Sequence, residues 1–163
     1  MSTQKFFFHE IGIIRSPHKV PSETPIQPVY SKGIKGSVIL QAEYTAGIMD
    51  LERFSHIFLI YYFHKSKAMK LILKPYLEDN EHGVFATRAP HRPNPIGFSV
   101  VKLRSIEKNI LQIEDVDILD GTPLLDIKPY VKRFDSRKNV RSGWQEGVTE
   151  DEAKARGRRN YKG

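Results

Sequence analysis

The chain has 163 residues, with 26 Lys and Arg against 19 Asp and Glu, a formal charge of +7 and no cysteine. That length suits one domain with a proper core, and the missing thiols exclude disulfides, cysteine nucleophiles and cysteine-bound zinc or iron–sulfur centres. No apolar run approaches the ~18 residues of a membrane span, and the N-terminus lacks the apolar stretch and cleavage site of a secretory signal, so a cytoplasmic protein without membrane association is expected.

In chain order, "EIGIIRS" (10–16) reads as a first strand, in which Ile11 and Ile13 alternate with Gly12 and Ile14. Four prolines in "PHKVPSETPIQPVYSKG" then rule out regular structure before a second strand, "GSVILQ" (36–41). Ile48, Leu51 and Phe54 recur at near-helical spacing in "TAGIMDLERF" (45–54), with Thr45 as a cap, and predict a short helix. "IFLIYYF" (57–63) is seven consecutive large apolar or aromatic residues and predicts a strand buried on both faces. "FATRAPHRPNPIG" (85–97) must be a rigid loop. Its prolines forbid a helix, force Ala89, Arg92 and Asn94 into extended conformations, and hold Arg88, His91, Arg92 and Asn94 on a backbone that cannot relax.

Two strands, 97–106 and 110–119, follow around an "EKN" connection. After them "DGTPLLDIKPYV" (120–131) opens with an Asp-Gly turn and continues extended, so that Asp126, Lys128 and Tyr130 share a face opposite Leu125 and Ile127. The acidic cluster around that turn suits plain turn chemistry and a pocket wall equally. Thr149 and Glu152 form a capping box for a terminal helix over 149–156. Residues 132–163 carry ten Lys or Arg against five Asp or Glu, a basic end that is either a solvated tail or a contact for phosphate. The sum is mainly β, and a single antiparallel β-barrel with short helices is expected.

No Gly-x-Gly occurs, so neither a dinucleotide fingerprint nor a P-loop can be written on the chain. A Gly-x-Ser-x-Gly elbow is also absent. The six histidines give no metal site: His56 and His64, on one extended strand, would lie about 26 Å apart.

"IGIIRSP", "PIQ", "FSHIFLIYYFH", "GVFATRAPHRPNPIGFSVVKL" and "DGTPLLDIKPYV", in this order over about residues 9–134, resemble the TsaA-like (TrmO-type) methyltransferase family. The resemblance implies a β-barrel homodimer that uses S-adenosylmethionine to methylate N6 of threonylcarbamoyladenosine at tRNA position 37. It also implies a barrel domain over 1–134, with 135–163 as a basic extension of the same unit in place of the longer members' further C-terminal domain. The cofactor is then expected at Pro25, Gln27, Phe63, His64, Arg88, Asp117, Leu119, Asp120, Gly121 and Thr122. Arg88 suits the cofactor carboxylate, Asp120 its ribose or ammonium, and Phe63 its sulfonium. His91, Arg92, Asn94 and Lys128 are expected to meet the substrate, and Asp126 or Tyr130 to take the proton of the acceptor nitrogen. Two alternatives stay open: the same cofactor with a small-molecule or protein acceptor, and a non-catalytic RNA-binding barrel.

Overall fold

A computed structural model describes residues 4–157. The strands are β1 (Gly12–Arg15), β2 (Lys35–Leu40), β3 (His56–Tyr62), β4 (Ile72–Leu73), β5 (His82–Gly83), β6 (Ile96–Glu107), β7 (Ile110–Glu114) and β8 (Thr122–Pro129), with two short helices, α1 (Lys132–Asp135) and α2 (Glu150–Arg156). Six strands close into an antiparallel barrel in the order β1-β2-β7-β6-β3-β8, while β4 and β5 form a separate ribbon. The mainly β architecture expected from the sequence is therefore the one observed.

Strand alternation builds the interior. Ile57 and Leu59 of β3, Val101 of β6, Leu111 and Ile113 of β7 and Leu124 of β8 all point inward and are fully or nearly fully buried. Removing each such side chain from water contributes about 1.5–3 kcal/mol. The other face of β3 is only half buried, which corrects the expectation of a strand covered on both faces. A barrel has one interior, so the outer face of β3 depends on loops for cover. In β1 it is Gly12 and Ile14 that face inward, and Ile13 remains 37% exposed.

Local backbone chemistry explains the other departures. The segment expected as a helix over 45–54 forms two 3-10 turns, Ala42–Ile48 and Leu51–Arg53, separated at Asp50, whose φ of 65° is left-handed. Ile48 and Leu51 still reach the core, because three-residue spacing also aligns side chains in 3-10 geometry. The strand expected over 110–119 stops at Glu114, since Asp115 turns to φ 68° and sends Val116, Asp117 and Ile118 across the barrel as a buried loop. Prolines 21 and 28 do not exclude local order; each opens a 3-10 turn, where a missing N–H costs nothing. The Asp-Gly turn is present, with Gly121 at φ 75°. The Thr149 capping box is complete: Thr149 Oγ1 accepts from the Glu152 amide at 3.2 Å and Glu152 Oε2 from the Thr149 amide at 3.0 Å.

The β6–β7 pair carries a two-pronged ion pair on its outer face. Arg104 donates through Nε and Nη2 to the two Glu114 oxygens at 2.8 and 2.7 Å, and Lys102 Nζ lies 3.4 Å away. These hydrogen bonds, Arg104 first, lower the Glu114 pKa to about 2. A carboxylate depressed on folding contributes stability above its unfolded value near 4.5, and that contribution is lost as pH falls through about 2. Carboxyl NMR should show Glu114 titrating near 2 and returning toward 4.5 in Arg104→Ala; a wild-type midpoint near 4.5 contradicts the fork.

Candidate functional site

The barrel is polar at one mouth. Here β3 ends, β6 and β8 begin, and the 115–121 loop crosses the opening. Ser99 of β6 is inward and buried, and its hydroxyl donates to Asp117 Oδ1 at 2.7 Å. Tyr61 lies 3.1 Å from Ser99 Oγ. Ser99 has a single proton and gives it to the carboxylate, so Tyr61 is the donor of the second bond. Thr122 Oγ1 donates to the Leu119 carbonyl at 2.7 Å and closes the loop locally.

A cavity of about 520 Å³ opens at this mouth, lined among others by Tyr61, Phe63, His64, His91, Asp117, Leu119 and Thr122. Gly97 sits opposite Tyr61 in the β3–β6 ladder, and a Cβ there would lie 2.4 Å from the Tyr61 ring and 2.7 Å from that of Phe63. Burial lowers the His64 pKa, helped by the charge of Lys65 and opposed by a hydrogen bond to the Tyr62 backbone, so at neutral pH its ring is uncharged. His91 Nδ1 is buried without a hydrogen-bond partner among the described residues, a polar atom left over for a ligand.

A second cavity, of about 760 Å³, lies on the outer wall of the barrel against Phe58, Phe98 and Tyr130. Pro90 and Tyr76 line both cavities, so the two adjoin. Arg88 and Gln27 form its polar edge: Arg88 Nη1 donates to Gln27 Oε1 at 2.7 Å, and the guanidinium lies 4.9 Å over the Phe98 ring. Its far wall comes from the C-terminal segment, through Asp135, Ser142, Trp144 and Gln145. Trp144 is fixed there by a 2.8 Å hydrogen bond from Nε1 to the Ala86 carbonyl and by stacking on His82 at 5.0 Å, and His82 in turn pairs with Glu78.

The residues expected around a cofactor thus divide between two neighbouring cavities. Phe63, His64, Asp117, Leu119 and Thr122 line the mouth, whereas Gln27 and Arg88 edge the outer cavity. Pro25 is fully buried, and the adjacent Ile26 amide donates to the Gly157 carbonyl at 3.0 Å. Asp120 and Gly121 anchor the loop to the chain after β1. Asp120 accepts from the Ser16 amide at 3.0 Å and pairs with Lys19 at 2.7 Å and Arg15 at 3.5 Å, while the Gly121 amide donates to Ile14. Burial alone would raise the Asp120 pKa, but these partners outweigh it and leave the carboxyl lowered.

The stiff loop after β5 shows a division of labour. Arg92 Nη1 donates to the Thr87 and Val84 carbonyls at 2.7 and 3.0 Å, so its guanidinium braces the loop that presents Arg88. Asn94 is exposed and lines neither cavity. Lys128 and Asp126 pair with each other at 2.8 Å, also outside both, while Tyr130 faces the outer cavity. Sequence reading gave Ser99, Gly97 and Trp144 no place in the site. Ser99 had one signal, as a small polar residue in phase with inward Val101 and Leu103. Among the described residues no cluster of three His, Asp or Glu side chains could hold a metal ion, and no helix is long and apolar enough to cross a membrane.

Fold and site together define a single-sheet β-barrel with two neighbouring cavities of ligand size, one at its mouth and one on its wall. The chain belongs to the tRNA-methyltransferase O N-terminal domain family, whose model matches residues 13–136. It is 56% identical over 149 residues to a "Probable S-adenosyl-L-methionine-binding protein" of Pyrococcus abyssi, across 91% of this chain and 81% of that one. It is 36% identical to the "tRNA (adenine(37)-N6)-methyltransferase" of Escherichia coli, across 88% and 65% respectively. The crystal structure of TrmO from Pseudomonas aeruginosa superposes with a TM-score of 0.73 at 36% identity, over 86% of this chain and 63% of that one. The chain therefore spans under two thirds of these last two proteins.

Proposed function

We propose that the chain is an S-adenosylmethionine-dependent methyltransferase whose acceptor is N6 of the adenine at tRNA position 37, in its threonylcarbamoyl form. The observation that carries this reading is a pair of cavities that share Tyr76 and Pro90 in their walls, a mouth cavity lined by Asp117 and by His91, whose Nδ1 has no partner among the described residues, and an aromatic cavity edged by Arg88. The relatives' names supply the chemistry: one is named a probable S-adenosyl-L-methionine-binding protein, the other a tRNA (adenine(37)-N6)-methyltransferase.

The side chains fit the cofactor group by group. Arg88, already paired with a carbonyl oxygen and stacked on Phe98, suits a carboxylate. Asp117, oriented by Ser99, suits an ammonium or ribose hydroxyls, and Phe63 offers a sulfonium an aromatic face. His64, neutral at pH 7, adds a hydrogen-bonding group without charge. Bound here, S-adenosylmethionine supplies an electrophilic methyl carbon. The chain's own part is to align the acceptor nitrogen with it, and such positioning supplies up to roughly 7–11 kcal/mol of a barrier.

The outer cavity is the place for the acceptor base, stacked among Phe58, Phe98 and Tyr130. His91 borders the cofactor, Arg92 holds Arg88 in place, and Asn94 and Lys128 stand outside for the rest of the substrate. The departing N6 proton goes to Tyr130, which lines the cavity and gives up its own phenolic proton to water as it accepts, or to the Asp126 carboxyl of β8. Residues 135–163 act as an extension of the same unit, a reading supported by the bonds of Trp144 to Ala86 and of Ile26 to Gly157. A cytoplasmic homodimer completes the reading, and the exposed run Phe6, Phe7 and Phe8, each at least 69% exposed, supports a second copy.

Calorimetric titration with S-adenosylhomocysteine tests the site. Wild type should bind saturably and Arg88→Ala at least tenfold more weakly. No binding by folded wild type contradicts the proposal.

A further inference from the structure

The basic end of the chain divides in two. In α2 the described cations are used within the protein: Arg156 lies 3.2 Å from each Asp79 oxygen, and Lys154 pairs with Glu150 at 3.3 Å. Several barrel cations are paired as well, Lys19 with Asp120, Lys102 and Arg104 with Glu114, and Lys128 with Asp126, whereas Lys65, Lys67 and Lys70 near the mouth form no ion pair among the described residues. Residues 158–163, which hold three further cations, lie outside the described residues.

The stretch 132–141 is different. It carries Lys132, Arg133, Arg137, Lys138 and Arg141 in ten residues, every one of them exposed. Among the described residues none of the five lies within ion-pairing distance of a carboxylate, and Arg137 donates only to the carbonyls of Phe134 and Ser136. The one acid of the stretch, Asp135, accepts from the Val131 amide at 2.7 Å and turns toward the outer cavity, which it lines. Phe134 stands 64% exposed among the cations. Directly after the stretch, Ser142, Trp144 and Gln145 form the far wall of that cavity.

Five uncompensated charges at this density repel one another and persist only where they cost little or where an anion neutralises them. Their density over the single helical turn of α1 and the bend after it, with an exposed aromatic ring among them, matches successive phosphates and an unstacked base. We propose that residues 132–141, and not α2, receive the phosphates of a single-stranded RNA loop whose target base enters the outer cavity, with Phe134 stacking on a neighbouring base. This rests on the methyltransferase reading above and locates its RNA contact.

The experiment is anisotropy of a fluorescein-labelled anticodon stem-loop RNA bound to the full chain across about 50–200 mM salt. In the triple variant Arg133→Gln, Arg137→Gln, Arg141→Gln affinity should fall at least tenfold, and the log–log salt slope should become shallower by about 2, from ~0.7 per lost phosphate contact. Phe134→Ala should weaken binding without changing the slope. S-adenosylhomocysteine binding should be unchanged in both, since none of these residues lines a cavity. If the triple variant loses that binding, the double variant Lys138→Gln, Arg141→Gln gives the reading, with a slope change of about 1.4. Wild-type slope and affinity in a folded variant overturn the proposal, as does loss of RNA binding only on removal of residues 158–163. Because the cofactor titration is separate, failure here leaves the methyltransferase reading to be judged on its own result.

Discussion

Gly97→Ala should cost about 1–3 kcal/mol of stability and abolish measurable cofactor binding at the mouth of the barrel. The added methyl group would stand 2.4 Å from a Tyr61 ring carbon and 2.7 Å from Phe63, well inside contact distance. Neither ring can yield cheaply. Tyr61 is 4% exposed and tied to Ser99, and the two rings pack edge to face at 5.4 Å. Displacing them moves one wall of the smaller cavity and pulls Tyr61 from the Ser99–Asp117 chain. Thermal unfolding and calorimetry on the same sample measure both losses. Wild-type affinity in a destabilised Gly97→Ala protein would show that the glycine serves packing alone.

Asp117→Ala carries the second large effect. The carboxylate is 2% exposed and accepts from Ser99, so its removal leaves a buried hydroxyl without its acceptor, at about 1–3 kcal/mol. Cofactor affinity should fall by two orders of magnitude or more, because the same carboxylate lines the mouth. Ser99→Ala separates the two roles. It keeps the carboxyl group, removes the Ser99 bonds to Asp117 and Tyr61, and should weaken binding about tenfold, a hydrogen bond to a carboxylate being worth ~1.5–3 kcal/mol. Equal affinity in wild type and Asp117→Ala would remove Asp117 from the site.

What the sequence disclosed was local. Alternation marked β1, a continuous apolar run marked β3, strand-like runs marked β2, β6 and β7, Asp-Gly marked the turn before β8, and Thr149 with Glu152 marked the start of α2. The prolines of 85–97 told of a rigid loop, which the structure shows braced by Arg92. Conformations set by single backbone angles stayed hidden: nothing in the residue type announces that Asp50 and Asp115 take positive φ, yet these two end one helical segment and one strand. Long-range pairs stayed hidden too. Gln27 and Arg88 are 61 residues apart, Trp144 and Ala86 58, and only closure of the barrel joins them. The motif that carried the family resemblance pointed to loops that border the two cavities. It could not show that its residues fall into two cavities, because that division depends on which strand face each residue occupies.

Transfer of a labelled methyl group from S-adenosylmethionine to tRNA, read by nucleoside mass spectrometry, tests the central claim most directly. The account predicts label on N6 of the adenine at position 37, lost in Arg88→Ala. A wild-type protein that binds S-adenosylhomocysteine yet leaves that adenine unlabelled would contradict it.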